Sequence, residues 1–221
     1  MMVRFENVIK QYENQQALTG VTFQATRGEL LFFTGASGAG KSTLLKLIYR
    51  AIEPDGGSIW VNGIDTVSMR AGHVPGLRRT IGVVFQDFRL LSGRTIYDNV
   101  ALALRIRGMA ERALKTQVME VLKMVGLRHK SDCWPETLSG GEQQRAVIAR
   151  AIVAEPVLLL ADEPTGNLDP DTAAGVMRIF KDINSRGTTV IIATHNRDLY
   201  TGTGRKVLKL ADGKIETETT G

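Results

Sequence analysis

A glycine-rich loop that ends in a lysine and a serine is the first feature of this chain that could do chemistry. The loop consists of Gly35, Ala36, Ser37, Gly38, Ala39, Gly40, Lys41 and Ser42, followed by Thr43. Glycines let a backbone wrap closely around phosphates with its N–H groups pointing inward. In this motif the lysine reaches the β- and γ-phosphates, and the serine hydroxyl ligates Mg²⁺. The spacing predicts a site for a nucleoside triphosphate with Mg²⁺ rather than a flexible turn.

A second glycine-rich stretch, at residues 138–142, contains Ser139, Gly140 and Gly141 and opens a second helical pattern. A hydroxyl and free backbone N–H groups at the start of a helix favour an anion. The phosphate loop, however, already holds the phosphates of one nucleotide within its own chain. The simplest hypothesis is that this second site completes the nucleotide pocket of another subunit.

Two adjacent carboxylates, Asp162 and Glu163, follow the apolar run at 157–161. A buried strand that ends in carboxylates presents them at the edge of an α/β sheet where ligands bind. We expect Asp162 to hold Mg²⁺ and Glu163 to orient or deprotonate an attacking water. Taken alone, the pair could equally cap a helix or face solvent. The phosphate loop upstream favours the catalytic interpretation.

Three further residues are candidates because of where they stand along the chain. Gln86 ends the strand predicted at 80–85, where its amide could contact both metal and water and sense the γ-phosphate. His195 follows the strand predicted at 189–193, a position that favours a γ-phosphate contact over a structural role. Tyr12 precedes the phosphate loop and could stack on adenine, or it could be a partly buried strand aromatic.

The elements that must position these residues alternate between β and helical patterns, which predicts an α/β fold. Strands are predicted at 3–9, 21–26, 30–34, 58–61, 80–85, 157–161 and 189–193, and a hairpin turns at Asp212 and Gly213. Helices are predicted at 41–51, 142–153 and 170–184. Residues 95–126 show helical periodicity throughout and end at Gly126, a plausible C-cap. We interpret this last stretch as a helical insertion that interrupts the sheet.

Composition limits the classes of protein to which this chain could belong. The chain has 221 residues, 43% of them hydrophobic, which is enough for one domain with a real core. A single cysteine, Cys133, suits a reducing cytoplasm. The N-terminus lacks the apolar core of a signal peptide and the apolar runs are short, so any membrane role should come through a partner. The net charge of +5 is typical of a generic protein surface or of a protein that works beside anionic lipid. The basic residues are scattered rather than clustered, which disfavours nucleic-acid binding.

Together these motifs resemble the ATP-binding cassette (ABC) ATPase family over nearly the whole chain. The matching positions are Tyr12 for the adenine-stacking aromatic, Gly35 to Ser42 for Walker A, Gln86 for the Q-loop, residues 138–142 for the signature, Asp162 and Glu163 for Walker B, Gly166 to Asp169 for the D-loop and His195 for the switch histidine. The resemblance implies a catalytic set of Lys41, Gln86, Glu163 and His195. It also implies that Ser42, Gln86 and Asp162 hold Mg²⁺, and that Asp169 lies at the nucleotide.

The family resemblance also implies an architecture and an assembly. It implies one cassette over 1–221, built on a P-loop NTPase core with a RecA-like mixed sheet and helices on both faces. An antiparallel β region lies at the N-terminus, and a helical subdomain is inserted at about 87–155. ATP binding closes a head-to-tail homodimer, in which each ATP meets the phosphate loop of one chain and Ser139 and Gly141 of the other.

Segments 34–48, 74–82, 85–87 and 94–101 are similar to the branch of the family that acts in bacterial cell division. That similarity implies an ATPase at the cytoplasmic face of the inner membrane, which drives a conformational change in an integral membrane partner and so activates septal cell-wall hydrolases. The partner is expected to contact the helical insertion and residues 87–97. The alternative is the ATPase of a lipoprotein-release or macrolide-export transporter, since these share much of the same segments.

Overall fold

The structure, a computed structural model, describes residues 1–13 and 15–221 of the chain. Its strands are β1 (Val3–Tyr12), β2 (Gln15–Ala25), β3 (Leu30–Thr34), β4 (Gly56–Val61), β5 (Ile64–Asp65), β6 (Ile81–Val84), β7 (Leu158–Asp162), β8 (Thr189–Ala193), β9 (Lys206–Ala211) and β10 (Lys214–Thr220). Its α-helices are α1 (Lys41–Ile48), α2 (Val74–Arg79), α3 (Ile96–Ile106), α4 (Glu111–Met124), α5 (Gly140–Ile152) and α6 (Pro170–Ser185).

The strands form two sheets. The N-terminal sheet is antiparallel, in the order β2-β1-β4-β5. The larger sheet has the order β10-β9-β3-β8-β7-β6, in which β6, β7, β8, β3 and β9 run parallel and β10 pairs antiparallel with β9. This arrangement confirms the predicted α/β fold with a mixed sheet and an antiparallel N-terminal region. Because the parallel strands end on one side, residues that follow β3, β6, β7 and β8 meet at one edge.

The parallel strands are buried on both faces, and their residues alternate between two cores. In β3, Leu30 and Phe32 pack with helices α3 to α6, whereas Leu31 and Phe33 pack with α1 and the antiparallel sheet. Strands β7 and β8 divide their residues between the two cores in the same way. The sheet therefore holds the phosphate-loop helix α1 on one face and the helix α5 that begins after Ser139 on the other.

Several predicted boundaries were wrong, each for a local reason. The helix expected at 41–51 ends at Ile48, since Arg50 adopts a left-handed backbone with φ 57°. The helical stretch at 95–126 is two helices, separated where Gly108 takes φ 74°. Val157 was expected inside a buried strand but precedes β7 and is 41% exposed. The short elements α2 and β5 were missed.

Candidate active site

The phosphate loop connects β3 to α1 at the carboxyl edge of the parallel sheet. The side chain of Lys41 is buried, and its Nζ donates to the carbonyl oxygens of Gly35 at 2.9 Å and Ala36 at 3.1 Å. Helix α1 has no acidic residue in its first turn. Its positive end therefore points into the loop with no carboxylate from its own first turn, and the loop is suited to bind phosphate.

Gly40 fixes the end of this loop against the antiparallel sheet. It caps α1 with φ 103°, and a Cβ at this position would lie 2.6 Å from the carbonyl oxygen of Ala17 and 2.8 Å from Leu18 Cδ2. A backbone carbonyl cannot move aside as the end of a flexible side chain can. Only glycine therefore fits where the loop meets β2.

We expect Gly40→Ala to lower both stability and nucleotide affinity. The left-handed backbone alone costs alanine about 1–2 kcal/mol, and the contact with Ala17 adds to that cost. Thermal unfolding and ATP titration measure the two effects. Gly38→Ala is the matched control for the loss of stability, because Gly38 also has positive φ (81°) but faces open space. Equal loss in both variants would show that the close approach of β2 does not matter.

Glu163 is held in a strained position directly after β7. Its backbone is left-handed with φ 45°, uncommon for a residue with a side chain, and its N–H donates to the carbonyl of Ala193 at 2.9 Å. Its carboxylate lies 2.9 Å from Nδ1 of His195, accepts the backbone N–H of His195 at 3.3 Å and lies 3.6 Å from Nζ of Lys41. Strain of this kind clusters at functional sites. Three of the predicted catalytic residues therefore meet around one carboxylate.

Asp162, although adjacent to Glu163, faces the serine of the phosphate loop. Burial raises the pKa of the Asp162 carboxyl, and the hydroxyl of Ser42 beside it opposes that rise only in part. Among the described residues, Oδ1 of Asp162 is buried and has no hydrogen-bond partner. A divalent cation would supply that oxygen with a partner and favour the ionised form. Ser42 and Asp162 therefore fit the magnesium site that the sequence predicts.

A cleft of about 550 Å³ lies over the phosphate loop. It is lined by Tyr12, Gln15, Ala17, Ala36, Ser37, Gly38, Gly40, Lys41, Ser42, Thr43, Gln86, Glu163 and His195. The cleft thus brings together most of the predicted loop, residues from three strand ends and Tyr12, whose side chain is exposed. Of the predicted residues near the loop, Gly35, Ala39 and Asp162 do not line it. Sequence reasoning missed Gln15 and Ala17. The strand partner of Tyr12 is Gln15, so the hairpin pairing was the signal that could have found it.

The second predicted anion site is an ordinary, well-formed helix start within this chain. Ser139 is the N-cap of α5 and forms a capping box with Glu142. The Oγ of Ser139 accepts the N–H of Glu142 at 3.3 Å, and the Glu142 carboxylate accepts the N–H of Ser139 at 2.9 Å. A Cβ on Gly141 would lie 2.4 Å from Cγ2 of Thr172, so α5 and the start of α6 approach closely there. Ser139 and Gly140 are exposed.

Asp169 caps α6, where its carboxylate accepts the N–H of Thr172 at 3.0 Å. Ser139, Gly140, Gly141 and Asp169 do not line the cleft over the phosphate loop in the described part of the chain. The structure therefore brings the predicted site residues together in two groups, one around Lys41 and one around Ser139.

Several known proteins of similar length resemble this chain. The ABC transporter family model matches residues 18–166. The cell division ATP-binding protein FtsE of Escherichia coli K12 is 49% identical over 97% of this chain and 97% of its own length. FtsE of Bacillus subtilis is 46% identical over 97% of this chain and 94% of its own. A dimeric structure of the ATP-binding cassette MJ0796 bound to ADP and Pi superposes with a TM-score of 0.91 at 34% identity, covering 99% and 98% of the two chains.

Proposed function

The chain belongs to the ABC transporter family of ATPases, and we propose that it hydrolyses ATP as a head-to-tail dimer that drives a membrane partner in bacterial cell division. One observation carries the cell-division assignment, namely the 45–49% identity to FtsE proteins of several bacteria over 97% of this chain. The clustering of Lys41, Glu163 and His195 supports the ATPase assignment independently.

Within one chain, the phosphate loop binds the nucleotide, and the residues that follow β7 and β8 act on the attacking water. The backbone amides of the loop and Nζ of Lys41 hold the β- and γ-phosphates. Glu163 orients the attacking water and accepts its proton as the water oxygen bonds to the γ-phosphorus and the bond to ADP breaks. His195 holds the Glu163 carboxylate in place and contacts the γ-phosphate.

The other predicted site residues would contact the metal ion and the adenine ring. Ser42, Asp162 and Gln86 would hold Mg²⁺, which supplies neutralising charge at the phosphate oxygens when it is bound. Tyr12 would stack on adenine at the outer end of the cleft. Oδ1 of Asp162, which has no hydrogen-bond partner among the described residues, supports the assignment of the metal site. The exposure of Tyr12 on the cleft supports the assignment of Tyr12 to adenine stacking.

A second copy of the chain would complete each pocket. Ser139 and Gly141 of that copy would present the start of α5 to the γ-phosphate, and Asp169 would lie beside it. The exposure of Ser139 and Gly140 supports this assignment, since they remain accessible to another chain. Dimers are also the state in which the similar cassette MJ0796 was solved with ADP and Pi.

The membrane partner would be an integral membrane protein resembling FtsX. In the described residues, no helix combines the length and apolar character needed to cross a bilayer. We place the chain at the cytoplasmic face of the bacterial inner membrane, held there by its partner. ATP-driven closure of the dimer would move the partner and so activate cell-wall hydrolases at the septum. Nucleic acid is not expected as a partner.

The experiment that tests this function isolates the partner directly. Tagged Glu163→Gln protein is purified with ATP from solubilised membranes of its source, and the co-purifying membrane subunit is identified by mass spectrometry. An FtsX-like protein supports the proposal. A lipoprotein-release or efflux permease would overturn the cell-division assignment and leave the ATPase assignment in place.

The partner-binding surface can be tested at Arg94, which lies in the exposed segment before α3. We expect Arg94→Glu to weaken partner binding about tenfold or more, because reversing a charge turns attraction into repulsion at an interface. The measurement is partner retained per tagged chain. Arg186→Glu serves as the control, since Arg186 is also exposed but lies at the opposite, amino edge of the parallel strands. Unchanged retention in Arg94→Glu would remove this surface from the interface.

A further inference from the structure

Arg150 lies in α5, about three turns after the Ser139 cap, and its guanidinium holds the loop that follows Gln86. Its Nη1 donates to the carbonyl oxygen of Arg89 at 2.5 Å, and its Nη2 donates to that of Phe88 at 3.1 Å. The two acceptors belong to consecutive residues, so the planar fork of the guanidinium binds them together. This contact joins the loop of Gln86 to the helix that begins at the second predicted anion site.

The guanidinium of Arg150 is a cation that burial removes from water, which is unfavourable. Burial lowers the pKa of Arg150, and the charge of Arg89 lowers it further. Among the residues that the structure describes, no carboxylate forms an ion pair with Arg150. An apolar side chain of similar length would fill the same space without this cost. What the guanidinium contributes is therefore its hold on the two loop carbonyls.

The loop is also fixed from its other side. Arg89 has a left-handed backbone with φ 49°, and its guanidinium lies 4.3 Å from the ring centroid of Phe85. The ring of Phe85 in turn packs edge-on against Tyr49. Gln86 stands between these anchors and is exposed on the cleft. The position of its amide thus depends on the backbone that Arg150 holds.

We propose that Arg150 is a positioning residue, which sets Gln86 against the nucleotide and links that placement to the helix capped by Ser139. The inference rests on the proposed function, because Gln86 and Ser139 belong to that site. Helix α5 is a rigid element, and about 16 Å of it separates Ser139 from Arg150. A shift of α5 carries the bound loop carbonyls with it, so a movement at either nucleotide contact is passed to the other.

A second arginine provides a matched control. Arg107, at the end of α3, donates to the carbonyl oxygen of Ala154 at 2.6 Å and to that of Arg79. It lines the same cleft of about 620 Å³ as Arg150. Arg107 thus also holds two backbone carbonyls, but neither belongs to the loop of Gln86. Arg107→Met removes the same kind of contact without releasing that loop.

The first test compares ATP turnover, ATP affinity and thermal unfolding among variants. We expect Arg150→Met to lower kcat at least about tenfold, because a small misplacement of a catalytic group costs up to about a hundredfold. Its affinity for ATP should change less than about threefold, as expected when a contact matters mainly in the transition state. Arg150→Lys, which keeps one donor, should recover part of the turnover. Arg107→Met should lose similar thermal stability but keep wild-type kcat.

A double variant decides whether Arg150 acts through Gln86. If it does, Gln86→Ala with Arg150→Met hydrolyses ATP no more slowly than Gln86→Ala alone. Losses that multiply would overturn the inference, as would wild-type kcat in Arg150→Met or an equal loss in Arg107→Met. Should Arg150→Met fail to fold, Arg150→Lys in the same cycle gives the same decision. Failure of the proposed function is distinguishable, because wild-type protein would then not hydrolyse ATP.

Discussion

Glu163→Gln is expected to stop ATP turnover while leaving ATP binding intact. The amide keeps the size and the hydrogen-bonding reach of the carboxylate beside His195, but it cannot accept a proton from the attacking water. General base catalysis contributes about 10²–10⁴ in rate, so kcat should fall by that factor. Because ATP stays uncleaved, the closed dimer should accumulate. Steady-state turnover and sedimentation of the ATP-bound protein measure the two effects.

The control for this variant is Glu120→Gln, an identical change on the exposed side of α4. It should hydrolyse ATP at the wild-type rate and should not accumulate dimer. Hydrolysis of ATP by Glu163→Gln at the wild-type rate would contradict the assignment of Glu163 as the general base. An ATP-bound Glu163→Gln that stays monomeric would contradict the closed dimer instead.

Lys41→Ala is expected to remove most nucleotide affinity. A hydrogen bond to a charged group contributes about 1.5–3 kcal/mol, and the side chain of Lys41 is only 8% exposed, so solvent screens its charge little. Its loss also removes the ammonium group that lies 3.6 Å from the Glu163 carboxylate. That carboxylate would then repel the γ-phosphate. We expect ATP affinity to fall about a hundredfold or more, as measured by titration with a fluorescent analogue.

Lys46→Ala tests whether the effect is specific to the phosphate loop. Lys46 lies in the same helix but is exposed, so its removal should change ATP affinity only slightly. Thermal unfolding of both variants shows whether the helix still forms. Wild-type affinity in a folded Lys41→Ala protein would contradict the phosphate-loop assignment.

The sequence predicted those features of the site that depend on residue type and spacing. The phosphate loop follows β3, the two carboxylates lie at the end of β7, and His195 follows β8. These strands are apolar and parallel, and parallel strands bring such positions to one edge. The apolar face of α4 was also predicted correctly: Leu114, Val118, Val121, Leu122 and Val125 are all buried. The hairpin at Asp212 and Gly213 formed as expected, with both residues at positive φ.

What the sequence could not reveal depends on backbone geometry and strand register. Arg150 binds carbonyl oxygens, which every residue carries, so nothing in the residue types near Phe88 marks them as its partners. Gln15 reaches the cleft only because β2 pairs with β1 in a particular register. The left-handed backbone of Glu163 is imposed by its surroundings rather than by its side chain. Helix α2 has only six residues, too few for a periodic pattern to identify.

The measurement that tests the proposed shared active site most directly is a cross-link between two differently labelled chains. Ser37 of the phosphate loop and Ser139 are both exposed. Ser37→Cys is placed in one batch of protein and Ser139→Cys in another. Both batches carry Glu163→Gln to hold ATP and Cys133→Ser to remove the single native cysteine.

We predict that the mixed batches form a disulfide-linked pair of chains when ATP is added, and that each batch alone forms none. Such a pair places the phosphate loop of one copy against the helix start of the other. A mixture that does not cross-link with ATP, or that cross-links equally without it, would contradict the head-to-tail site on which the account depends.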